Sequence, residues 1–226
     1  MELVDAIKTR RSIRGFKQTS VPENTLKEIL DLARMAPSAT NCQPWEFIVL
    51  TGESLEKAKR VNIEQSNQGA VISLDIPVCP PNELPSPYVD RQNALARDLF
   101  GSANIERSDK EGRREWQSRG KRFFDAPAAI LVCADEKIYN KRHQISLIDI
   151  GIVTQTIAIL ATEYGLGTCI QQDTVFFPDV LRQALGIPQS KRLLVAICVG
   201  YPDWNFPANK FERTREPLDS MVTWKS

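Results

Sequence analysis

Residues 147–164 read Leu-Ile-Asp-Ile-Gly-Ile-Val-Thr-Gln-Thr-Ile-Ala-Ile-Leu-Ala-Thr-Glu-Tyr. Ile148, Ile150, Ile152, Val153, Ile157, Ile159 and Leu160 fall on all sides of a 3.6-residue period. The stretch therefore predicts a central helix, covered on most sides. Upstream, Ala128–Ala134 is a short apolar run suited to a buried strand. Downstream, Gly165 ends the helix, an extended run reaches Gln172, a helix over Asp179–Leu185 closes on Gly186, and Leu193–Val199 forms another strand. Toward the N-terminus, residues 2–9 predict a short helix with Leu3, Ala6 and Ile7 inward. Pro22 opens a second helix whose Leu26, Ile29, Leu30 and Ala33 make one apolar stripe. Trp45–Leu50 predicts a strand, followed by a polar helix from Glu53 to about Gln65. Helices and strands do not alternate regularly, which points to an α+β protein rather than a doubly wound parallel sheet.

The chain has 226 residues, 42% of them hydrophobic, enough for one core; residues 1–226 are expected to form a single domain. Pro77, Pro80, Pro81, Pro85 and Pro87 forbid a long helix or central strand there. Residues 77–124, charged and helical beyond the prolines with Leu95, Leu99 and Phe100 as anchors, are expected to leave the core as a lid or dimer arm. No run is read as a membrane span, and Met1-Glu2-Leu3-Val4-Asp5 lacks the basic start of a signal peptide, so a soluble cytoplasmic protein is expected. Cys133 and Cys198 lie in apolar strands and read as reduced, buried thiols. The single histidine, His143, is expected at the end of a loop. It excludes a His-Glu-x-x-His metal helix, and no Gly-x-Ser-x-Gly elbow accompanies it for a triad; no metal site is expected. Gly165-Leu166-Gly167 starts like a dinucleotide fingerprint, but it follows a helix and Ile170 replaces the third glycine.

Two basic clusters remain: Arg10-Arg11-Ser12-Ile13-Arg14 and Arg213-Thr214-Arg215. With 29 basic and 28 acidic residues the chain has no general cationic field, so local clusters suit a small multivalent anion. Arginine forks match phosphate, and Ser12 adds a hydroxyl donor. Acids interleaved with the bases of 106–115 argue against a nucleic-acid stripe. The tail from Tyr201 carries Trp204, Phe206, Phe211, Met221, Val222 and Trp224 without a long element of its own, so a partner subunit is expected to cover it.

Four segments, Arg10-x-Ser12-x-Arg14, Ala36-Pro37-Ser38-Ala39-Thr40-Asn41-Cys42-Gln43-Pro44-Trp45-Glu46-Phe47, Gly165-Leu166-Gly167-Thr168 and Arg213-x-Arg215-x-Pro217, together resemble the nitroreductase family of FMN-dependent NAD(P)H oxidoreductases. The resemblance implies an α+β fold with a central mixed or antiparallel sheet flanked by helices, in an intertwined homodimer with an extended C-terminal tail and FMN at the subunit interface. It implies that Arg10, Arg11, Ser12, Arg213 and Arg215 hold the phosphate and ribityl chain. Arg14 would face the N1/O2 edge of the ring, and Cys169, Ile170, Gln171 and Gln172 would run beneath it. Pro37, Ser38, Ala39 and Asn41 would come from the other subunit. No catalytic side chain is implied: NAD(P)H would reduce FMN, and FMN would reduce a small aromatic acceptor, nitroaromatic or quinone-like, in a ping-pong cycle. Cys42 and Cys169 would be packing residues. Many relatives carry Pro-x-Glu-Gly where this chain has Ile170-Gln171-Gln172-Asp173. The alternatives are a specialised flavoenzyme of the same fold (a reductive dehalogenase with Glu83, Tyr88 and Arg91 as a polar lid, a flavin-consuming enzyme or a ring dehydrogenase) and a non-enzymatic flavin or anion binder.

Overall fold

The strand Ala128–Asp135 (β2) is buried along almost its whole length, which follows from a run with no polar residue before Asp135. In this computed structural model, which describes residues 2–139 and 146–225, β2 lies inside a four-stranded sheet. The other strands are Glu46–Thr51 (β1), Gly167–Gln171 (β3) and Lys191–Gly200 (β4). Their order is β1-β2-β4-β3, and every pair is antiparallel, so the sheet is antiparallel rather than mixed. Ile48 faces Leu131, Ile130 faces Ile197, and Cys169 faces Cys198; a bulge between Val132 and Cys133 shifts the β2–β4 register. The place expected for His143 lies outside the described residues.

Because both faces of β2 are apolar, helices cover both. Leu131, Cys133, Ala196 and Cys198 pack with the helices Gly52–Asn67 (α3) and Pro178–Leu185 (α7) through Leu55, Ala58 and Leu181. Ile130, Val132, Leu194 and Ile197 pack with Glu23–Ala33 (α2) and Ser146–Glu163 (α6) through Leu26, Ile29, Val153 and Ile157. Helix α7 starts on Pro178 and ends on Gly186 at φ +68°, a left-handed cap that glycine adopts without strain. Buried Cys133 is pushed up to about 12 by desolvation, and burial raises Cys198 as well, so both remain thiols at neutral pH.

Two expectations are corrected on the surface. In the first helix, Leu3–Thr9 (α1), only Ala6 is buried; Leu3 is 64% exposed and Ile7 49%. In α6 only the sheet-facing side is covered, and Ile148 is 60% exposed. Among the described residues no element covers these side chains, although α1 and α6 pack on each other. By length and composition α6 is also long and apolar enough to cross a membrane, where no such run was expected; its buried side belongs to the core.

Residues 77–124 contain two helices, Tyr88–Ser102 (α4) and Lys110–Lys121 (α5), with Leu99 buried and Asp109 accepting from Gly112 N at 2.8 Å as an N-cap. Edge-to-face contacts of 5.7 Å from Phe100 to Trp116 and from Trp116 to Phe124 tie them to the body.

The segment entering this region is pinned by Asp75. Its carboxylate accepts from Arg182 at 2.6 Å, from Leu193 N at 2.8 Å and from Arg192 at 3.4 Å. Arg182 is 2% exposed, so Asp75→Ala leaves a buried guanidinium short of its partner. The variant should lose about 3–5 kcal/mol of stability in urea unfolding. A change below about 1 kcal/mol would show the pair to be dispensable.

Candidate functional site

The first basic cluster leaves α1 in extended backbone because it pairs with a strand edge. Ser12 bridges Thr168 of β3 in parallel fashion, and Ile13 N donates to Thr168 O at 2.9 Å. The chain continues along the tail, with Lys17 N donating to Tyr201 O at 2.9 Å. Gly15 is required here: a Cβ would lie 2.3 Å from the Phe206 ring. Asn209, fully buried, then fastens the two chain ends together. Its Oδ1 accepts from Arg14 N at 2.7 Å and Gly15 N at 3.2 Å; its Nδ2 donates to Gly15 O at 2.7 Å and Asp203 O at 2.8 Å.

The second cluster thereby meets the first. Arg213 donates to Ile7 O at 3.0 Å and Lys8 O at 2.9 Å, the free carbonyls ending α1. Burial and then Arg215 hold the Arg10 guanidinium below its ordinary range. Burial, followed by Arg10, Arg215 and Arg11, does the same to Arg213. Four guanidiniums thus repel one another, and no carboxylate figures among the groups acting on these two. Arg213 Nη1 is buried without a hydrogen-bond partner among the described residues. Arg10 and Arg11 also line a cavity of about 570 Å³ with Gly165–Thr168, Trp204 and Lys210.

Beside this cluster, Cys169 is buried between Ser12, Arg10 and Arg14. Burial pushes its thiol up against the opposing pull of Arg14, Ser12 and Arg10, and its S–H faces Gln171 Oε1 at 3.9 Å. Gln171 donates to Gly120 O at 2.8 Å, and Ile170, Gln171 and Gln172 line a cavity of about 500 Å³ with Gly151 and Thr154 of α6. The Arg14 guanidinium lies 5.9 Å from the Phe124 ring centroid, a cation–π contact. Phe124 reaches it through three successive left-handed residues, Phe123, Phe124 and Asp125, at φ 60°, 49° and 56°. Such backbone persists only where its surroundings hold it. Here buried Phe123, the Arg122–Asp125 ion pair at 3.0 Å and Gln18 donating to Asp125 O at 3.3 Å do so.

The Pro37–Asn41 loop is anchored on α6. Ala39 N donates to the buried Asp149 carboxylate at 3.1 Å, in the first turn of α6. Ser38 Oγ accepts from Gln43 N at 2.9 Å, and Thr40, Asn41 and Gln43 have φ of 51°, 58° and 48°. Pro37, Ala39 and Asn41 are exposed and Ser38 half-buried. Arg91, of the polar-lid alternative, pairs with Glu216 at 3.3 Å and lies 5.5 Å from the Tyr88 ring centroid.

The nitroreductase family profile matches residues 7–201, which span β1 to β4 and the first arginine cluster. The chain belongs to the nitroreductase family. It is 33% identical to a chloronitrobenzene nitroreductase of Comamonas testosteroni, covering 97% of this chain and 95% of that protein. It is 31% identical to a 4-nitrobenzoate reductase of a Nocardioides strain, covering 99% and 90%. Its fold superposes on the crystal structure of an FMN- and NADPH-dependent nitroreductase, NfnB of sphigopyxis sp. strain HMH, with TM-score 0.91, 27% identity and full coverage of both chains.

Sequence reasoning missed several residues of this nitroreductase-family site. Asn209 and Asp149 gave no signal, because a buried carboxamide or carboxylate bonded to distant backbone has no local pattern. Arg119 was likewise unmarked; it donates to Arg14 O at 3.3 Å and lies 4.7 Å from the Phe206 ring centroid. Asn209→Ala strands the backbone N–H groups of Arg14 and Gly15 and removes one of the donors to Gly15 O and to Asp203 O, and should destabilise the protein by about 1–3 kcal/mol. Thermal unfolding checks this: a drop in Tm of about 2 °C or more is expected for a chain of this size, and an unchanged Tm would dismiss the staple.

Proposed function

We propose that this chain is an FMN-dependent oxidoreductase that passes electrons from NAD(P)H to nitroaromatic or quinone-like acceptors, working as a cytoplasmic homodimer. One observation carries the reading: Arg10, Arg11, Arg213 and Arg215 converge without an acidic counterweight, and Arg213 Nη1 lacks a partner among the described residues. A dianionic phosphate relieves that repulsion and satisfies the stranded donor, so the donor set fits FMN. In this reading Arg10, Arg11, Ser12, Arg213 and Arg215 hold the phosphate and ribityl chain, and Arg14 places positive charge at the N1/O2 edge. Cys169, Ile170, Gln171 and Gln172 support the ring with backbone and packing. When bound, FMN supplies two-electron transfer between donor and acceptor. The side chains orient the reactants and exclude water, and none is needed as an acid or base.

The homodimer is supported by the uncovered apolar residues of α1, α6 and the tail, where Trp204 is 52% and Trp224 84% exposed. In the dimer Pro37, Ser38, Ala39 and Asn41, presented by Asp149, complete the partner's site. Residues 1–226 act as one domain, with 77–124 as the arm or lid over the ring.

Arg215→Ala should weaken FMN binding roughly ten- to a hundredfold, equivalent to about 1.5–3 kcal/mol for one charged hydrogen bond. Quenching of flavin fluorescence on titration measures it, and wild-type affinity would remove Arg215 from the site. A wild-type protein that binds no FMN would overturn the reading itself.

The high pKa of Cys169 argues that thiol chemistry is absent. The Cys42→Ser/Cys169→Ser double variant should therefore keep FMN and most of its turnover. A loss beyond about a hundredfold with FMN still bound, roughly 2.7 kcal/mol of barrier, would implicate a thiol.

A further inference from the structure

A second cationic cavity, of about 750 Å³, lies between α4 and the start of α5. Arg97, Arg107 and Arg113 line it together with Phe100, Ile105 and Ala96. Glu106 is the one carboxylate in the lining, and its Oε2 accepts from Ser108 at 3.4 Å. Arg113 is held in place, its guanidinium 4.6 Å from the Phe100 ring centroid and its Nε donating to Glu106 O at 3.2 Å. Arg97 uses Nε on Asp98 at 2.9 Å. Arg107 has no hydrogen-bond or ion-pair partner among the described residues.

The lining combines two chemistries. Phe100, Ile105 and Ala96 give an apolar wall on which a flat base can lie, while three guanidiniums, offset by Glu106 in the lining and by Asp98 paired with Arg97, leave a net positive charge that suits an anion. A phosphate monoester carries about 1.5–2 negative charges at neutral pH, and arginine forks match its oxygens. The volume falls within the roughly 300–1,000 Å³ of small-molecule sites. A bare inorganic ion would leave the apolar wall unused, and a purely apolar body would leave the arginines unpaired.

The cavity is also joined to the flavin-facing residues. From Phe100 the aromatic contacts run 5.7 Å to Trp116 and 5.7 Å to Phe124, and Arg14 lies 5.9 Å beyond. These contacts make one continuous aromatic path from the cavity to Arg14. A nicotinamide donor carries its hydride at one end and its adenosine at the other, and only NADPH bears a phosphate monoester on that adenosine.

We infer that the Arg97–Arg107–Arg113 cavity binds the 2′-phosphoadenosine end of the electron donor and so makes this enzyme select NADPH over NADH. The inference rests on the functional reading above and deepens it. Phe100 and Ile105 seat the base, Arg107 meets the phosphate as the unpartnered cation, and Arg97 and Arg113 flank it.

The test compares wild-type holoenzyme with the Arg97→Ala/Arg107→Ala variant. By calorimetry, the wild type should bind 2′,5′-ADP at least about tenfold more tightly than 5′-AMP or inorganic phosphate, and the variant should lose that margin. In turnover, the NADPH-to-NADH ratio of kcat/KM should exceed about ten for the wild type and fall about tenfold or more in the variant, with the loss in KM for NADPH. Three results would overturn the inference: equal 2′,5′-ADP affinity in variant and wild type, an unchanged donor ratio, or inorganic phosphate binding as tightly as 2′,5′-ADP, which would mark a free-phosphate site. Any of these in a protein that carries FMN and oxidises either donor leaves the functional reading standing. A wild type that carries no flavin and oxidises neither donor overturns that reading instead, and this one with it.

Discussion

The carboxamide of Asn209 is the contact on which the arrangement of the arginines depends. It makes four hydrogen bonds in a fully buried position, three of them to residues 14 and 15, and so joins positions 194 and 195 apart in the chain. A buried carboxamide saturated in this way fixes direction as well as distance, because each partner is backbone and cannot swing aside. The geometry brings like charges together, and folding must oppose their repulsion. Burial first, and then the neighbouring guanidiniums, lower the pKa values of Arg10 and Arg213.

The sheet contributes rigidity and little else to the chemistry. Its two central strands are covered on both faces, and the residues of the candidate site come from its edge and from loops. Two of those loops hold non-glycine residues in left-handed backbone, Thr40–Asn41 with Gln43, and Phe123–Asp125. Each is clamped by nearby contacts, Ser38 Oγ on Gln43 N and Ala39 N on Asp149 in the first, Arg122 and Gln18 on Asp125 in the second. Strain of about 1–3 kcal/mol per such residue is retained where a side chain must be aimed. In the second loop it aims Phe124 at Arg14.

The elements were legible wherever one physical signal dominated. The all-apolar run of β2, the proline and glycine that bound α7, and the stripe Leu26–Ile29–Ala33 of α2 each specify their element locally. Leu3, Ile7 and Ile148 were misread because apolar periodicity signals burial without naming the element that supplies it, and the described residues leave these three exposed. In the candidate site the arginine clusters were visible as charge. The anchors were not: Asn209, which joins the two chain ends, Asp149, which holds the Pro37–Asn41 loop, and Asp75 each accept from a backbone N–H more than a hundred positions away, and no short window of sequence contains both halves of such a bond.

The strand order has a consequence for how the molecule comes into being. Among the described residues β4 is the last strand made, yet it sits between β2 and β3 and is the one strand of the sheet paired with β3. A chain emerging from the ribosome can pair β1 with β2 early, but β3 waits for residues 191–200, and the arginine cluster waits for the tail beyond them. High contact order of this kind slows folding, because loop closure precedes the contacts that reward it. The arginine cluster is therefore assembled only when synthesis has passed residue 213.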